Sequence, residues 1–178
     1  MQNRVFVSPM CQYSCEGRDG VLTDWHKVHL GTRAVGGSGL VMVEASAVEP
    51  RGRITPWDTG LWNKDQSDLL KSSVKFITEN GSIPSIQLAH AGRKASHDKP
   101  WEGGQYISDK QGGWDIVAPS AIPFDDNCGI PFSLGIDEIE LIVNNFVDSA
   151  ILAVQAGIKV IELHFAHGYL VNEFMSNT

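Results

Sequence analysis

VIELHFAHGYL, Val160–Leu170, is the stretch on which the reading of the fold turns. The β-formers Val160, Ile161 and Leu163 run into His164, and His167 and Tyr169 follow before a helix can begin. A short apolar, β-branched run of this kind favours a strand. It is expected to be buried and to deliver polar groups at its C-terminal end. In α/β folds with parallel strands, side chains leaving the strand tips converge on one mouth, where ligands and chemistry collect.

Working outward, Asp137–Ala156 places Ile139, Ile142, Val143, Phe146, Ala150, Ile151 and Val154 at helical steps, with Gly157 as its stop. The strand after it is Ile158–His164. Before that helix lies His97–Gly135, a segment with Pro100, Trp101 and Trp114 and no periodicity. Loop excursions of such length inside compact domains are usually lids or binding loops. Further back, Ile83–Leu88 reads as a strand whose end carries Gln87, His90, Arg93 and Lys94. A helix over Asp65–Glu79 precedes it, with Leu69, Leu70, Val74 and Ile77 on one side and Asn80-Gly81 closing it. Gly39–Ala47 is apolar on both faces until Glu44, the mark of a central parallel strand. Its preceding helix starts at Thr23-Asp24, shows Trp25, Val28, His29 and Thr32 at helical spacing, and ends at Gly36-Gly37. Arg4–Val7 is the first strand, stopped by Ser8-Pro9.

The 178 residues are 42% hydrophobic and 20% charged with no biased tract, the composition of a soluble globular chain. A formal charge of −7 arises from scattered acids, so nucleic acid and anionic membranes are not expected partners. No run approaches the roughly 18 apolar residues that span a bilayer, and MQNRVFVSPM lacks a signal-peptide core, so a cytoplasmic protein is expected. Cys11, Cys15 and Cys128 lack C-x-x-C spacing and read as reduced thiols.

Strands that alternate with helices in this way leave an open doubly wound sheet or a (β/α)8 barrel. A dinucleotide-type sheet calls for a glycine-rich turn after strand one, but here Ser-Pro-Met-Cys follows. The barrel fits better. A full barrel needs about 250 residues, so residues 1–178 read as its N-terminal portion with about four βα units and the C-terminal half absent.

The strand tips then deliver Cys11 and Tyr13, Glu44, Gln87 and His90, and His164, His167 and Tyr169. Each has a plain structural reading: an inert buried thiol, a Glu44–arginine ion pair, a Gln87 that only ties strands. Three chemistries could use the set. Zinc hydrolysis would take His164, His167 and His90, although no H-x-H or H-E-x-x-H occurs. Cysteine catalysis would pair Cys11 with a histidine. Redox chemistry on an organic cofactor would place Cys11, Gln87 and backbone N–H groups near Pro9-Met10 against a flat heterocycle, with paired histidines on a substrate oxygen.

SPMCQYS (Ser8–Ser14), VEASAV (Val43–Val48), GRIT (Gly52–Thr55), IQLAHAGRKA (Ile86–Ala95), APSAIPF (Ala118–Phe124) and ELHFAHGYLVNEF (Glu162–Phe174) run through nearly the whole chain in order. Together they resemble the Old Yellow Enzyme family of FMN-dependent ene-reductases, in the branch with a cysteine in the first-strand loop. The resemblance implies that Ser8, Pro9, Met10 and Cys11 line FMN, that Ala45 meets the ring through its backbone and that Gln87 bonds its pyrimidine part. It implies that His164 and His167 hold the carbonyl oxygen of an α,β-unsaturated substrate, that Tyr169 is the proton donor and that Tyr13 lines the substrate cavity. NADPH or NADH would be the reductant, and His97–Val117, with Trp101 and Trp114, would be the variable lid. Homo-oligomers are expected of the full-length family. A non-catalytic half-barrel that must pair with a complementary half stays open beside this reading, since exposed strand edges favour association.

Overall fold

A computed structural model describes residues 1–177. In chain order its main elements are β1 (Phe6–Val7), α1 (Asp24–Val35), β2 (Leu40–Ala47), α2 (Lys64–Glu79), β3 (Ile83–Ala89), β4 (Val117–Ala118), β5 (Phe132–Ser133), α3 (Ile136–Ala156), β6 (Val160–Leu163) and α4 (Leu170–Met175). β1, β2, β3 and β6 form one parallel sheet in that order. Parallel neighbours require crossovers, which α1, α2 and α3 supply. All strand tips therefore point the same way.

Local chemistry sets the helix ends. Asn63 Oδ1 accepts the Gln66 N–H at 2.9 Å and Gln66 Oε1 accepts the Asn63 N–H at 3.2 Å, a reciprocal cap that starts α2. At α1, His26 Nδ1 accepts the Thr23 N–H at 3.0 Å. α3 ends on Gly157, whose φ of 99° suits a residue without Cβ.

The main core lies between the sheet and α1–α3: Leu30, Val41, Val43, Leu70, Val74, Ile77, Ile86, Leu88 and Ala153 are buried together. β2 is buried along its whole length, as a central parallel strand should be. Several expectations need correcting. In α1 the buried face is His26, Leu30, Gly31 and Ala34, whereas Trp25 and Val28 point outward. In α2 Leu69 likewise faces out, and in α3 so do Val143, Ile151 and Val154. These helices are apolar on more than one stripe, and the stripe that lies on the sheet includes small residues that allow close approach. β1 is shorter than expected, paired only as Phe6↔Leu40 and Val7↔Val41. β6 is mostly exposed rather than buried, because among the described residues it has β3 as its one strand neighbour. The excursion at 97–135 is not structureless, since β4 and β5 pair in it.

By length and composition alone α3 could cross a membrane, with mean hydropathy 1.3 in its best window. Yet Asn145 Nδ2 donates to Glu49 at 2.8 Å and Ser149 is fully buried, so the helix packs on the sheet.

Candidate functional site

The parallel register brings the tips of β1, β2, β3 and β6 to one edge, and a defect in that register shapes its floor. Val43 pairs with Ile86 and Ser46 with Leu88, so Glu44 and Ala45 together oppose the single residue Gln87. A β-bulge of this kind bends the strand and re-aims its side chains. Ala45 and Gln87, two residues expected at the site, thus lie side by side at the bulge. Gln87 Nε2 donates to Glu162 on β6 at 2.5 Å. Above them runs the first loop, with Ser8 and Met10 exposed and Pro9 and Cys11 half-buried. The Ala45 backbone N–H is directed at the Cys11 thiol. Burial, and then the carboxyls of Asp58 and Glu44, push that thiol far above the ordinary range, so it stays protonated.

At the β6 tip, His164, His167 and Tyr169 meet. The His164 ring lies edge-on to His167 and to Tyr169, each with centroids 5.0 Å apart. His164 Nδ1 accepts the Ala166 N–H at 3.3 Å, which leaves the ring proton on Nε2. Burial and the neighbouring His167 lower its pKa, so the ring is neutral near pH 7. His167 is exposed and adopts φ 60°, and Gly168 follows at φ 70°. Two left-handed residues in succession turn the chain sharply and set Tyr169 at the N-terminus of α4. Lys94 Nζ donates to the His167 carbonyl at 2.8 Å, and Asn172 Oδ1 accepts the Gly168 N–H at 2.8 Å, so the turn is held on both sides. The Tyr169 phenol is pushed up to about 12, by burial first and then by Cys11 and Asp58.

A cavity of about 300 Å³ opens beside these groups, lined by Tyr13, Tyr169, Lys94, Phe124, His97 and Pro100 among others. The excursion forms its outer wall. Trp101 stands edge-on to Tyr13 with centroids 5.7 Å apart, and Trp114 Nε1 donates to the Arg51 carbonyl at 2.9 Å.

Other expected residues go elsewhere. His90 is fully buried with Nε2 2.9 Å from Glu49 Oε1, and its Nδ1 accepts the Gly92 N–H, so it turns away from His164 and His167. Among the described residues no group of three or more His, Cys, Asp or Glu could hold a metal, which removes the zinc arrangement. No histidine nitrogen hydrogen-bonds Cys11 either, and a protonated thiol is a weak nucleophile. Among the described residues Glu44 has no arginine partner. It faces His26 at 3.8 Å and accepts the Gln12 N–H at 3.0 Å.

Asp58, which the sequence reading passed over, lies under the site. It accepts from the N–H groups of Ile54 and Thr55 and from the Thr55 hydroxyl, yet burial still pushes its carboxyl up to about 6. Its one sequence signal is the GRIT string just before it.

A family model described as NADH:flavin oxidoreductase / NADH oxidase matches residues 1–178. An NADPH dehydrogenase from Bacillus cytotoxicus is 47% identical over 177 residues, covering 99% of this chain and 46% of that protein. An NADPH dehydrogenase from Geobacillus thermodenitrificans is 44% identical over 176 residues, covering 99% and 47%. Among solved structures, Old Yellow Enzyme from Pichia sp. AKU4542 superposes with TM-score 0.84 at 27% identity, over 100% of this chain and 46% of its own. Morphinone reductase in complex with tetrahydroNAD gives TM-score 0.81 at 29% identity, over 98% and 48%. The chain spans about half the length of the curated relatives it matches.

Proposed function

The chain belongs to the NADH:flavin oxidoreductase / NADH oxidase family and folds as part of a TIM (β/α)8 barrel, and from that premise we propose that it carries the flavin-facing and substrate-holding side of an FMN-dependent NAD(P)H oxidoreductase. Residues 1–178 would be the N-terminal part of that barrel. The observation that carries the reading is the convergence of the Cys11 loop, the Ala45–Gln87 bulge and the His164–His167–Tyr169 cluster on one sheet edge.

These residues fit a flat, neutral heterocycle. The bulge presents a small side chain, Ala45, beside an amide, Gln87, and the protonated Cys11 thiol puts no charge over them. Ser8, Pro9, Met10, Cys11, Ala45 and Gln87 would hold FMN. Bound FMN, reduced by NADPH or NADH, would supply hydride to the β-carbon of an α,β-unsaturated carbonyl or a related activated alkene.

The remaining work falls to this chain's own side chains. His164 donates its Nε2–H, with His167 beside it, to the substrate carbonyl oxygen and stabilises the charge that gathers there. A neutral His164 suits that task, because it offers a hydrogen bond without giving up its proton. Tyr169 keeps its phenolic proton at neutral pH and delivers it to the α-carbon. Tyr13, with Trp101 against it, walls the cavity and shapes substrate choice.

The test is titration of the intact protein with FMN, followed by NADPH oxidation in the presence of a cyclic enone. Flavin binding and enone-dependent turnover are expected. Protein that leaves added FMN free in solution refutes the reading. A second reading, a non-catalytic half-barrel needing a complementary half, draws on the apolar groove between α3, β6 and α4, lined by Leu134, Phe146, Leu163, Phe165, Leu170 and Phe174. Size-exclusion chromatography tests this second reading, since its exposed strand edges favour association and a well-behaved monomer would count against it.

A further inference from the structure

The first loop carries five of the proposed site residues, yet Ser8–Cys15 has no regular backbone ladder of its own. Tyr13 even adopts φ 49°, a left-handed conformation that is strained for a residue with a Cβ. Something outside the loop must impose it.

Beyond Tyr13 the Ser14 carbonyl accepts from Thr23 Oγ1 at 3.2 Å and the Cys15 N–H donates to the Trp57 carbonyl at 3.0 Å, and before it the tethers meet at Gln12, between Cys11 and Tyr13. Its backbone N–H donates to Glu44 Oε1 at 3.0 Å, its side-chain Oε1 accepts from Trp25 Nε1 at 3.1 Å, and its Nε2 donates to the Met10 carbonyl at 2.7 Å. Two of the three reach outside the loop, and of those two only the Glu44 bond grips the Gln12 backbone. Glu44 sits at the β2 bulge, 4% exposed, and behind it stands His26, 1% exposed, with Nε2 3.8 Å from Glu44 Oε2. Because His26 Nδ1 accepts the Thr23 N–H, the ring proton lies on Nε2 and points at the carboxyl. That N–H has no hydrogen-bond partner within reach.

We propose that Glu44, backed by His26, is a positioning residue that fixes the Cys11–Tyr13 segment over the mouth through one backbone tether at Gln12. What the segment is fixed for rests on the flavin reading above; the tether itself does not.

The support from His26 depends on the charge of Glu44. Burial, with Asp58 adding to it, pushes Glu44 up to about 8 against the Gln12 hydrogen bond, and burial followed by His29 takes His26 down to about 4. Both side chains are therefore neutral at pH 7. Oε1 accepts from Gln12, so the acid proton falls on Oε2, and two donors then face each other across 3.8 Å. Loss of that proton converts Oε2 into an acceptor for the His26 N–H. The titratable groups facing Glu44 are Cys11, Tyr13 and Cys15 on the loop, Asp58 after β2, and His26 with His29 behind it on α1.

The experiment is nitrogen-15 NMR on the intact protein without flavin, following the Gln12 amide and the His26 ring against pH. In the native protein both signals should shift together with one midpoint near pH 8. Glu44→Gln should keep the Gln12 amide hydrogen-bonded and abolish the shared transition, while Glu44→Leu should displace the Gln12 and Tyr13 signals at every pH. A transition that survives in Glu44→Gln, or a Gln12 amide that does not move in Glu44→Leu, overturns the proposal. If Glu44→Leu fails to fold, Glu44→Gln alone decides. The readout needs no cofactor, so a protein that does not bind FMN would overturn the proposed function and leave this result standing.

Discussion

Replacing His164 with alanine separates what that ring does for substrate from what it does for the fold. In the fold, the ring accepts one backbone N–H, from Ala166 at 3.3 Å, and meets two other rings edge-on at 5.0 Å. Each ring contact is worth about 0.5–1.5 kcal/mol. Ala166 is exposed, so water takes over its N–H and the cost of orphaning it sits at the bottom of the ~1–3 kcal/mol range. The loss of stability should therefore be about 2–4 kcal/mol, read as a lowered urea midpoint with unchanged slope. In the proposed role the lost Nε2–H is a donor to developing negative charge, and removing one such donor costs roughly 100- to 1000-fold in turnover, about 3–4 kcal/mol. The assay uses FMN-loaded protein and two probes: enone-dependent NADPH oxidation, and titration with a phenol, whose phenolate oxygen mimics the charged substrate oxygen. Both should weaken in protein that the urea curve shows to be fully folded under the assay conditions. A His164→Ala variant with native phenol affinity and native turnover refutes the donor role, whatever happens to its stability.

Glu173, at 7% exposure, holds the Arg93 N–H at 3.0 Å and lies 3.6 Å from Arg93 Nε, yet burial outweighs these contacts and pushes its carboxyl up from 4.5 to about 7. A folded-state pKa above the unfolded one means stability that is complete below 4.5 and lost as pH rises toward 7, by about 3 kcal/mol over that window. Denaturation at a series of pH values should show the slope in the native protein and a flatter one in Glu173→Gln; identical slopes would exclude the carboxyl as its source. Leu88, 0% exposed in the middle of the core, should lose about 3 kcal/mol on truncation to alanine, within the ~2–5 kcal/mol seen for such changes. A thermal scan checks this, and a shift of a degree or less would mean that the site collapses around the cavity.

The strands and the crossover helices were legible because their signals are local. β2 and β3 are short apolar runs bounded by Gly, Pro or polar residues, and α3 carries more than five turns of apolar periodicity ended by Gly157. The same locality explains why His164, His167 and Tyr169 could be named together, since six residues cover all three. Which face of a helix turns inward was not legible. Trp25 and Val28 recur at helical spacing as convincingly as Leu30 and Ala34 do, and only the sheet beneath decides between them. Partnerships across the sheet were hidden for a similar reason. Nothing near Glu44 in sequence points to His26 on another element, and His90 reads as one more polar tip until Glu49 is seen to claim it. α4 escaped notice because six residues are too few to establish a helical period.

The turn at His167 restricts which residues can replace it. In the proposed role, a residue at φ 60° that also offers an N–H to a carbonyl oxygen has few alternatives. Glycine takes the angle and offers no side-chain donor; β-branched residues strain; lysine and arginine reach past the spot. Asparagine tolerates the left-handed region and carries an N–H donor on a short stem. The backbone angle and the proposed donor role together thus narrow this position to His or Asn.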